Sequence, residues 1–241
     1  MNIKDWHVHT DFSFDSTEPL ENYLALAEAV GEDLVFTDHL EFSNPYSGID
    51  DLPDWQAFCE RVDKINSAGK SPHVYKGIEI GWNPADGERI REWLSGKSID
   101  VKLLSVHNNG EYDYMDDVAR GLKASDIVDD YFNNMSIAIE EFPDVDILTH
   151  FEYGVRLIDV DLEEFKQLAE AHLRRIFAQL TTHDIALEIN AKSAFAYGNY
   201  ELVKYGVALY KEVGGTKLTL GSDAHRVSEY RRQFDELEKL L

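Results

Sequence analysis

Short apolar segments recur along the chain and alternate with longer segments of helical period. Seven of the apolar segments have the length and residue types of strands. They are Asn2–His9, Leu34–Thr37, His73–Ile80, Val101–His107, Val145–His150, Ala186–Asn190 and Lys217–Ser222. The helical pattern predicts helices at Pro19–Val30, Asp54–Ala68, Asp86–Leu94, Ser125–Glu141, Asp161–His183, Tyr200–Val213 and Ser228–Leu241. Strands that alternate with helices predict an α/β fold with a parallel sheet.

Seven strands in 241 residues favour a closed barrel over an open, doubly wound sheet. The first predicted strand is not followed by the glycine-rich turn of a dinucleotide-binding fold. We therefore expect one domain, residues 1–241, that forms a distorted seven-stranded (β/α)7 barrel resembling a TIM barrel. Functional residues of such barrels lie at the C-terminal ends of the strands and in the loops that follow.

Residue types that bind metals are concentrated at these predicted strand ends. His7 and His9 are two apart on a strand, so their side chains point to the same side. Six of the nine histidines lie at strand ends, and carboxylates accompany them. The complete set of candidate ligands is His7, His9, Asp15, His39, Glu79, His107, His150, Asp223 and His225.

Imidazole and carboxylate ligands together favour zinc, manganese or iron over calcium or magnesium. Nine donors are too many for one ion, but they suffice for two, and for three if a carboxylate such as Glu79 bridges. Such a cluster is net positive, attracts a phosphate dianion and lowers the pKa of a bound water to ~7. The set therefore predicts hydrolysis of a phosphate ester by a metal-activated hydroxide.

The overall charge restricts the partners of this chain. Its net charge of −23 repels nucleic acid and anionic membranes, so we expect neither as a partner. A site for an anion must then carry its own positive charge. The single cysteine, Cys59, allows no internal disulfide, and the first residues lack the apolar core of a signal peptide. We expect a cytoplasmic protein, and the oligomeric state stays open.

The chain resembles the polymerase and histidinol phosphatase (PHP) superfamily. The matching motifs run from His7-Val8-His9-Thr10 to Gly221-Ser222-Asp223-Ala224-His225, in the order of the family. The resemblance implies a distorted seven-stranded barrel with a trinuclear metal site. The size of the chain is similar to that of the stand-alone histidinol-phosphatase branch.

The resemblance also implies how the ligands are shared. One metal would be held by His7, His9, Glu79 and Asp223. Glu79 would bridge to a second metal at His107 and His150. The third metal would be held by Asp15, His39 and His225.

The same branch has basic residues after the fifth and sixth strands that bind phosphate. Here Arg156 and Lys192 would make these contacts, Arg156 with two parallel hydrogen bonds. The chain departs from the branch in two places. Glu152 stands where we expect Asp, and Asn190-Ala191-Lys192-Ser193 differs from an expected Asn-Thr-Ser-Gly.

We therefore predict a metal-dependent phosphomonoesterase with L-histidinol phosphate as the best substrate, which would place the enzyme in histidine biosynthesis. Arg156 would stabilise the developing charge, and Asp223 or His225 would help to protonate the leaving group. The alternative is a phosphoesterase acting on nucleotides or other small phosphates. A C–N hydrolase of the amidohydrolase type and a non-catalytic metal-binding module are two further alternatives.

Overall fold

The computed structural model describes residues 1–45, 47–69 and 71–241. Seven parallel strands in these ranges form one sheet. They are β1 (Leu34–Phe36), β2 (His39–Glu41), β3 (Val74–Gly81), β4 (Val101–Ser105), β5 (Ile147–Leu148), β6 (Ala186–Asn190) and β7 (Leu218–Gly221). Their order in the sheet is β1-β3-β4-β5-β6-β7, and β2 pairs with β3 beyond the end of β1.

The N-terminal segment joins the two edges of this sheet. Ile3 forms a parallel bridge with Asp33, just before β1, while Asp5 bridges to Leu220 of β7. Further along, Val8 bridges to Ala224. The sheet therefore curls around on itself, which confirms the predicted distorted seven-stranded barrel.

The helices of the described ranges are α1 (Glu21–Val30), α2 (Trp55–Ser67), α3 (Gly87–Leu94), α4 (Asp117–Arg120), α5 (Ala124–Glu141), α6 (Leu162–His183), α7 (Tyr200–Glu212) and α8 (Phe234–Leu237). Helices α2–α7 lie between successive strands from β2 to β7, whereas α1 precedes β1 and α8 follows β7. Side-chain caps mark the starts of α2, at Asp54, and of α6, where Asp161 accepts hydrogen bonds from the backbone amides of Glu163 and Glu164, both at 2.9 Å. Helix α1 ends at Gly31, whose φ of 70° is readily adopted only by glycine.

The first two predicted strands differ from the structure. Asn2–His9 is not a regular strand, because side chains take backbone amides that a ladder would use. The Asp5 carboxylate accepts from the amide of His7 at 3.4 Å, and Thr37 Oγ1 accepts from that of Val8 at 3.2 Å. The second predicted strand is interrupted after β1 and resumes as β2, which the sequence pattern did not predict. The predicted number of seven strands is right, but the strands are not the same: Asn2–His9 is absent and β2 is additional.

The predicted helix Ser228–Leu241 is wrong as a continuous element. The chain instead forms a 3-10 turn at Val227–Glu229, then α8, then a second 3-10 turn at Glu238–Leu240. Arg231 and Gln233 have φ angles of 55° and 50°, which no α-helix accommodates. The amide of Arg231 donates instead to Asp5 at 3.1 Å, so this segment is fixed to the N-terminal segment.

A large apolar core supports the ends of the strands. Helices α5 and α6 pack together over β4–β6 and bury aromatic side chains, among them Tyr131, Phe132 and Phe177. Burial of such side chains stabilises the fold by roughly 1.5–3 kcal/mol each. In the three described ranges, no helix has the length and apolar character needed to cross a bilayer.

Candidate active site

Glu79 lies at the centre of the predicted ligand set. It is near the end of β3 and is completely buried. Its Oε1 atom is 2.9 Å from His150 Nε2 and 3.4 Å from His107 Nε2. Its Oε2 atom is 3.2 Å from His7 Nε2 and 3.0 Å from His39 Nδ1. One carboxylate therefore contacts side chains from four different segments of the barrel.

A second group of ligands lies beside the first, toward the rim. Asp15 Oδ2 is 2.8 Å from His225 Nε2 and 3.5 Å from His39 Nε2. The ring of His9 stacks against those of both His39 and His225, and His9 Nε2 is 3.5 Å from Asp223 Oδ1. The structure thus brings together all nine residues of the predicted set. Three subsets have ligand atoms within 4.8 Å of one another: His9, Asp15, His39 and His225; His7, His9 and Glu79; and His39, Glu79 and His107.

The electrostatics of the cluster keep Glu79, His9 and His150 in the forms that metals bind. Burial alone would raise the pKa of Glu79, but the imidazoles of His7, His39 and His107 hold it well below its usual range. Burial lowers the pKa of His150 to about 4 and also lowers the pKa of His9. An ionised carboxylate and neutral imidazoles are the coordinating forms of these side chains.

The two predicted basic residues line the same cavity as the cluster. Arg156 is buried, with its guanidinium 4.8 and 5.0 Å from the ring centroids of Tyr153 and Tyr197. Its Nε donates to Ser193 Oγ at 2.6 Å, and its Nη2 has no hydrogen-bond partner in the described part of the chain. Lys192 Nζ is 3.1 Å from Asp223 Oδ1. The cavity therefore places positive charge beside the ligand cluster.

Sequence comparison identifies the family of this fold and site. The family model described as PHP domain matches residues 5–192. The chain belongs to the PHP family. This assignment confirms the resemblance drawn from the strand-end motifs.

Relatives of this PHP chain span almost its whole length. The probable histidinol-phosphatase of Thermotoga maritima is 27% identical over 98% of this chain and 90% of the relative. The histidinol-phosphatase of Lactococcus lactis is 24% identical over 93% of this chain and 85% of the relative.

Solved structures show the same PHP fold. A histidinol phosphate phosphatase from Lactococcus lactis, complexed with zinc, L-histidinol and phosphate, superposes with a TM-score of 0.85 and 20% identity, over 99% of this chain and 94% of that one. A chain of archaeal ribonuclease P with mature tRNA superposes with a TM-score of 0.55 and 17% identity, over 92% and 79% of the two chains.

Sequence reasoning missed the groups that orient the histidines of this PHP site. Glu188 Oε1 is 2.7 Å from His7 Nδ1, and Glu41 contacts His107 Nδ1. Both contacts leave the Nε2 atoms directed at Glu79. Carboxylates behind metal-binding histidines fix the orientation of the ring and increase its basicity. Here the carboxylates of Glu41 and Glu79 outweigh the effect of burial and raise the pKa of His107 to about 9.

A line of buried hydrogen bonds connects these orienting groups to Arg156. Glu188 Oε2 accepts from Asn190 Nδ2 at 3.0 Å, and Asn190 Oδ1 accepts from the amide of Ser193 at 2.8 Å. Ser193 in turn accepts from Arg156. The sixth strand, which brings no predicted metal ligand, therefore orients both His7 and the arginine.

Two glycines make room for the orienting carboxylates. A Cβ at Gly81 would lie 2.1 Å from the Glu41 carboxylate, and one at Gly221 would lie 1.9 Å from Glu188 Oε1 and 2.8 Å from His7 Cβ. Real side chains do not approach so closely, so a methyl group at either position must displace its carboxylate.

Gly221→Ala should therefore weaken the site without unfolding the barrel. We expect roughly a 10- to 100-fold loss of activity or metal affinity, the usual effect of disturbing a group behind a metal ligand. Assays of phosphate release and of metal content measure this loss. Gly121→Ala is the matched control, because its Cβ would meet nothing closer than 3.5 Å and its φ of −83° suits alanine. Equal activity in the two variants would contradict the role of Gly221.

Proposed function

We propose that this chain is a metal-dependent phosphomonoesterase that hydrolyses L-histidinol phosphate to L-histidinol and phosphate. The observation that carries the proposal is the convergence of eight ligand-type side chains around Glu79, beside a cavity that contains Arg156 and Lys192. Full-length relatives named histidinol-phosphatase support the choice of substrate. The proposal covers residues 1–241 as a single PHP-type domain.

The residues of the cluster fit two to three divalent ions of zinc, manganese or iron. His7 Nε2 and His9 Nε2 are 3.0 Å apart, close to the ~3.3 Å between two nitrogens bound tetrahedrally to one zinc ion. Glu79 Oε2 and His39 Nδ1 are buried without a hydrogen bond in the described ranges, which bound ions would remedy. Such ions supply activation of water and neutralise charge on phosphoryl oxygens.

We assign the ligands of these ions as the family resemblance implies. His7, His9, Glu79 and Asp223 would hold one ion. Glu79, His107 and His150 would hold the second, and the short distances from Glu79 Oε1 to both imidazoles support this sharing. Asp15, His39 and His225 would hold the third.

The other residues of the cavity bind the ester and supply protons. Arg156 Nη2 has no hydrogen-bond partner in the described ranges and lies 3.9 Å from Asp223 Oδ2, so it can donate to a phosphoryl oxygen, and Lys192 adds a second positive charge. Lys192 Nζ is also 3.3 Å from His225 Nδ1. Lys192 therefore lies within hydrogen-bond distance of both residues and can supply the proton that Asp223 or His225 passes to the leaving oxygen.

A phosphate-release screen on the purified chain tests the proposal. It includes L-histidinol phosphate, mononucleotides and sugar phosphates, and elemental analysis is made on protein never exposed to a chelator. We expect at least two transition-metal ions per chain and the highest kcat/KM with L-histidinol phosphate. Fewer than two ions would refute the cluster. A preference for nucleotides would show that L-histidinol phosphate is not the main substrate. Inactivity on every phosphomonoester would refute the proposed reaction.

A further inference from the structure

The cavity above the cluster contains one carboxylate that the proposed reaction does not use. Its volume is about 200 Å³, and its acidic lining residues are Asp15, Glu41, Asp113 and Asp223. Asp15 and Asp223 belong to the ligand set, and Glu41 orients His107. Asp113 has none of these roles.

Asp113 is held in position by neutral donors only. Its Oδ1 accepts from the amide of Met115 at 2.7 Å and from the hydroxyl of Tyr153 at 3.0 Å, and its Oδ2 is 3.3 Å from that hydroxyl. In the described ranges, no lysine, arginine or histidine nitrogen lies within 4.0 Å of it. His107 acts on this partly buried carboxylate only from beyond 4.0 Å, and a cation that enters the cavity would pair with Asp113 directly.

Tyr153 separates this carboxylate from the basic end of the cavity. The guanidinium of Arg156 lies over the ring of Tyr153, whereas its hydroxyl contacts Asp113. Arg156 and Asp113 therefore flank one aromatic side chain without neutralising each other. A ligand that complements both ends has an anionic group for Arg156 and Lys192 and a cationic group for Asp113.

We propose that Asp113 binds the ammonium group of the substrate, so that this site selects phosphate monoesters of amino alcohols. The inference rests on the proposed function and deepens it. L-histidinol phosphate has both charges, whereas sugar phosphates lack an ammonium group. Binding at Asp113 is present before and during the reaction, so its loss acts mainly on KM.

The test compares the metal-loaded Asp113→Asn variant with the wild type on two substrates. For L-histidinol phosphate we expect kcat/KM to fall roughly 10- to 100-fold, mostly through KM, as is usual for the loss of a charge-assisted hydrogen bond. For 4-nitrophenyl phosphate, which has no ammonium group, the change should stay within about 3-fold. Asp113→Glu, which keeps the charge, should recover part of the loss.

Asp117→Asn is the matched control, because it removes the same charge from the same segment at a side chain that is 97% exposed. It should leave both substrates unaffected. An equal loss for both substrates in Asp113→Asn, or no loss for either, would overturn the proposal.

Calorimetry with L-histidinol alone separates this inference from the proposed reaction. Wild-type protein should bind L-histidinol at least 10-fold more tightly than Asp113→Asn, while the affinity for inorganic phosphate stays the same. Equal affinity for L-histidinol in both proteins would overturn the role of Asp113. If the wild type hydrolyses neither ester, the proposed function fails, and this binding measurement still decides the inference.

Discussion

Glu79→Gln should reduce phosphate release by a factor on the order of 10³, the largest effect that we expect from a single substitution. The glutamine keeps the size of the side chain but removes the negative charge that five imidazoles share. Loss of a shared metal ligand costs several kcal/mol, and each 1.36 kcal/mol is a tenfold change in rate. Metal content should fall in the same variant.

Two measurements make this expectation specific. Circular dichroism should show an intact fold, and elemental analysis should show fewer ions per chain than in the wild type. Glu32→Gln is the control, because Glu32 is also a buried carboxylate but pairs with Arg231, away from the cluster. Unchanged metal content and activity in Glu79→Gln would refute the central position of this residue.

Arg156→Lys should lower kcat/KM by roughly 10²- to 10³-fold, the range observed when a donor to developing charge is removed. Lysine retains the charge but has no planar fork, so it cannot bond Ser193 and a phosphoryl oxygen in the geometry of Arg156. The affinity for inorganic phosphate should fall as well, while metal content remains at the wild-type level.

The control for Arg156→Lys is Arg174→Lys on α6, where the arginine pairs with Glu170 at the surface. It should keep full activity. If Arg156→Lys loses metal together with activity, Arg156 acts on the cluster and does not bind phosphate directly. Full activity in Arg156→Lys would exclude both roles.

The convergence of the nine predicted ligands was predictable because the sequence signal for each of them is local. His7 and His9 show the two-residue alternation of a strand, and each other histidine of the set follows an apolar segment. The orienting carboxylates were not found, although the same alternation was present in His39-Leu40-Glu41 and Glu188-Ile189-Asn190. Their role depends on which neighbouring strand each side chain faces, and that pairing is a property of the tertiary structure.

The fold was predictable where apolar residues recur with a regular period. The prediction failed where side chains compete with the backbone for hydrogen bonds. Helix α6 agrees with its prediction to within one residue at its N-terminus, because a capping aspartate marks its start. The first strand and the last helix fail for a common reason. Asp5 accepts hydrogen bonds from the amides of His7, Ser222 and Arg231, and no periodic pattern shows that one buried carboxylate holds three segments.

The joining of the N-terminal segment to β7 also has a consequence for biosynthesis. Asp5 accepts from the amide of Ser222, 217 positions further along the chain. At ribosomal rates of 5–20 residues per second, the segment with His7 and His9 waits roughly 10–40 s for this partner. Closing so long a loop is also entropically costly, so the barrel closes late. His7 and His9 are thus synthesised well before the cluster to which they belong can form.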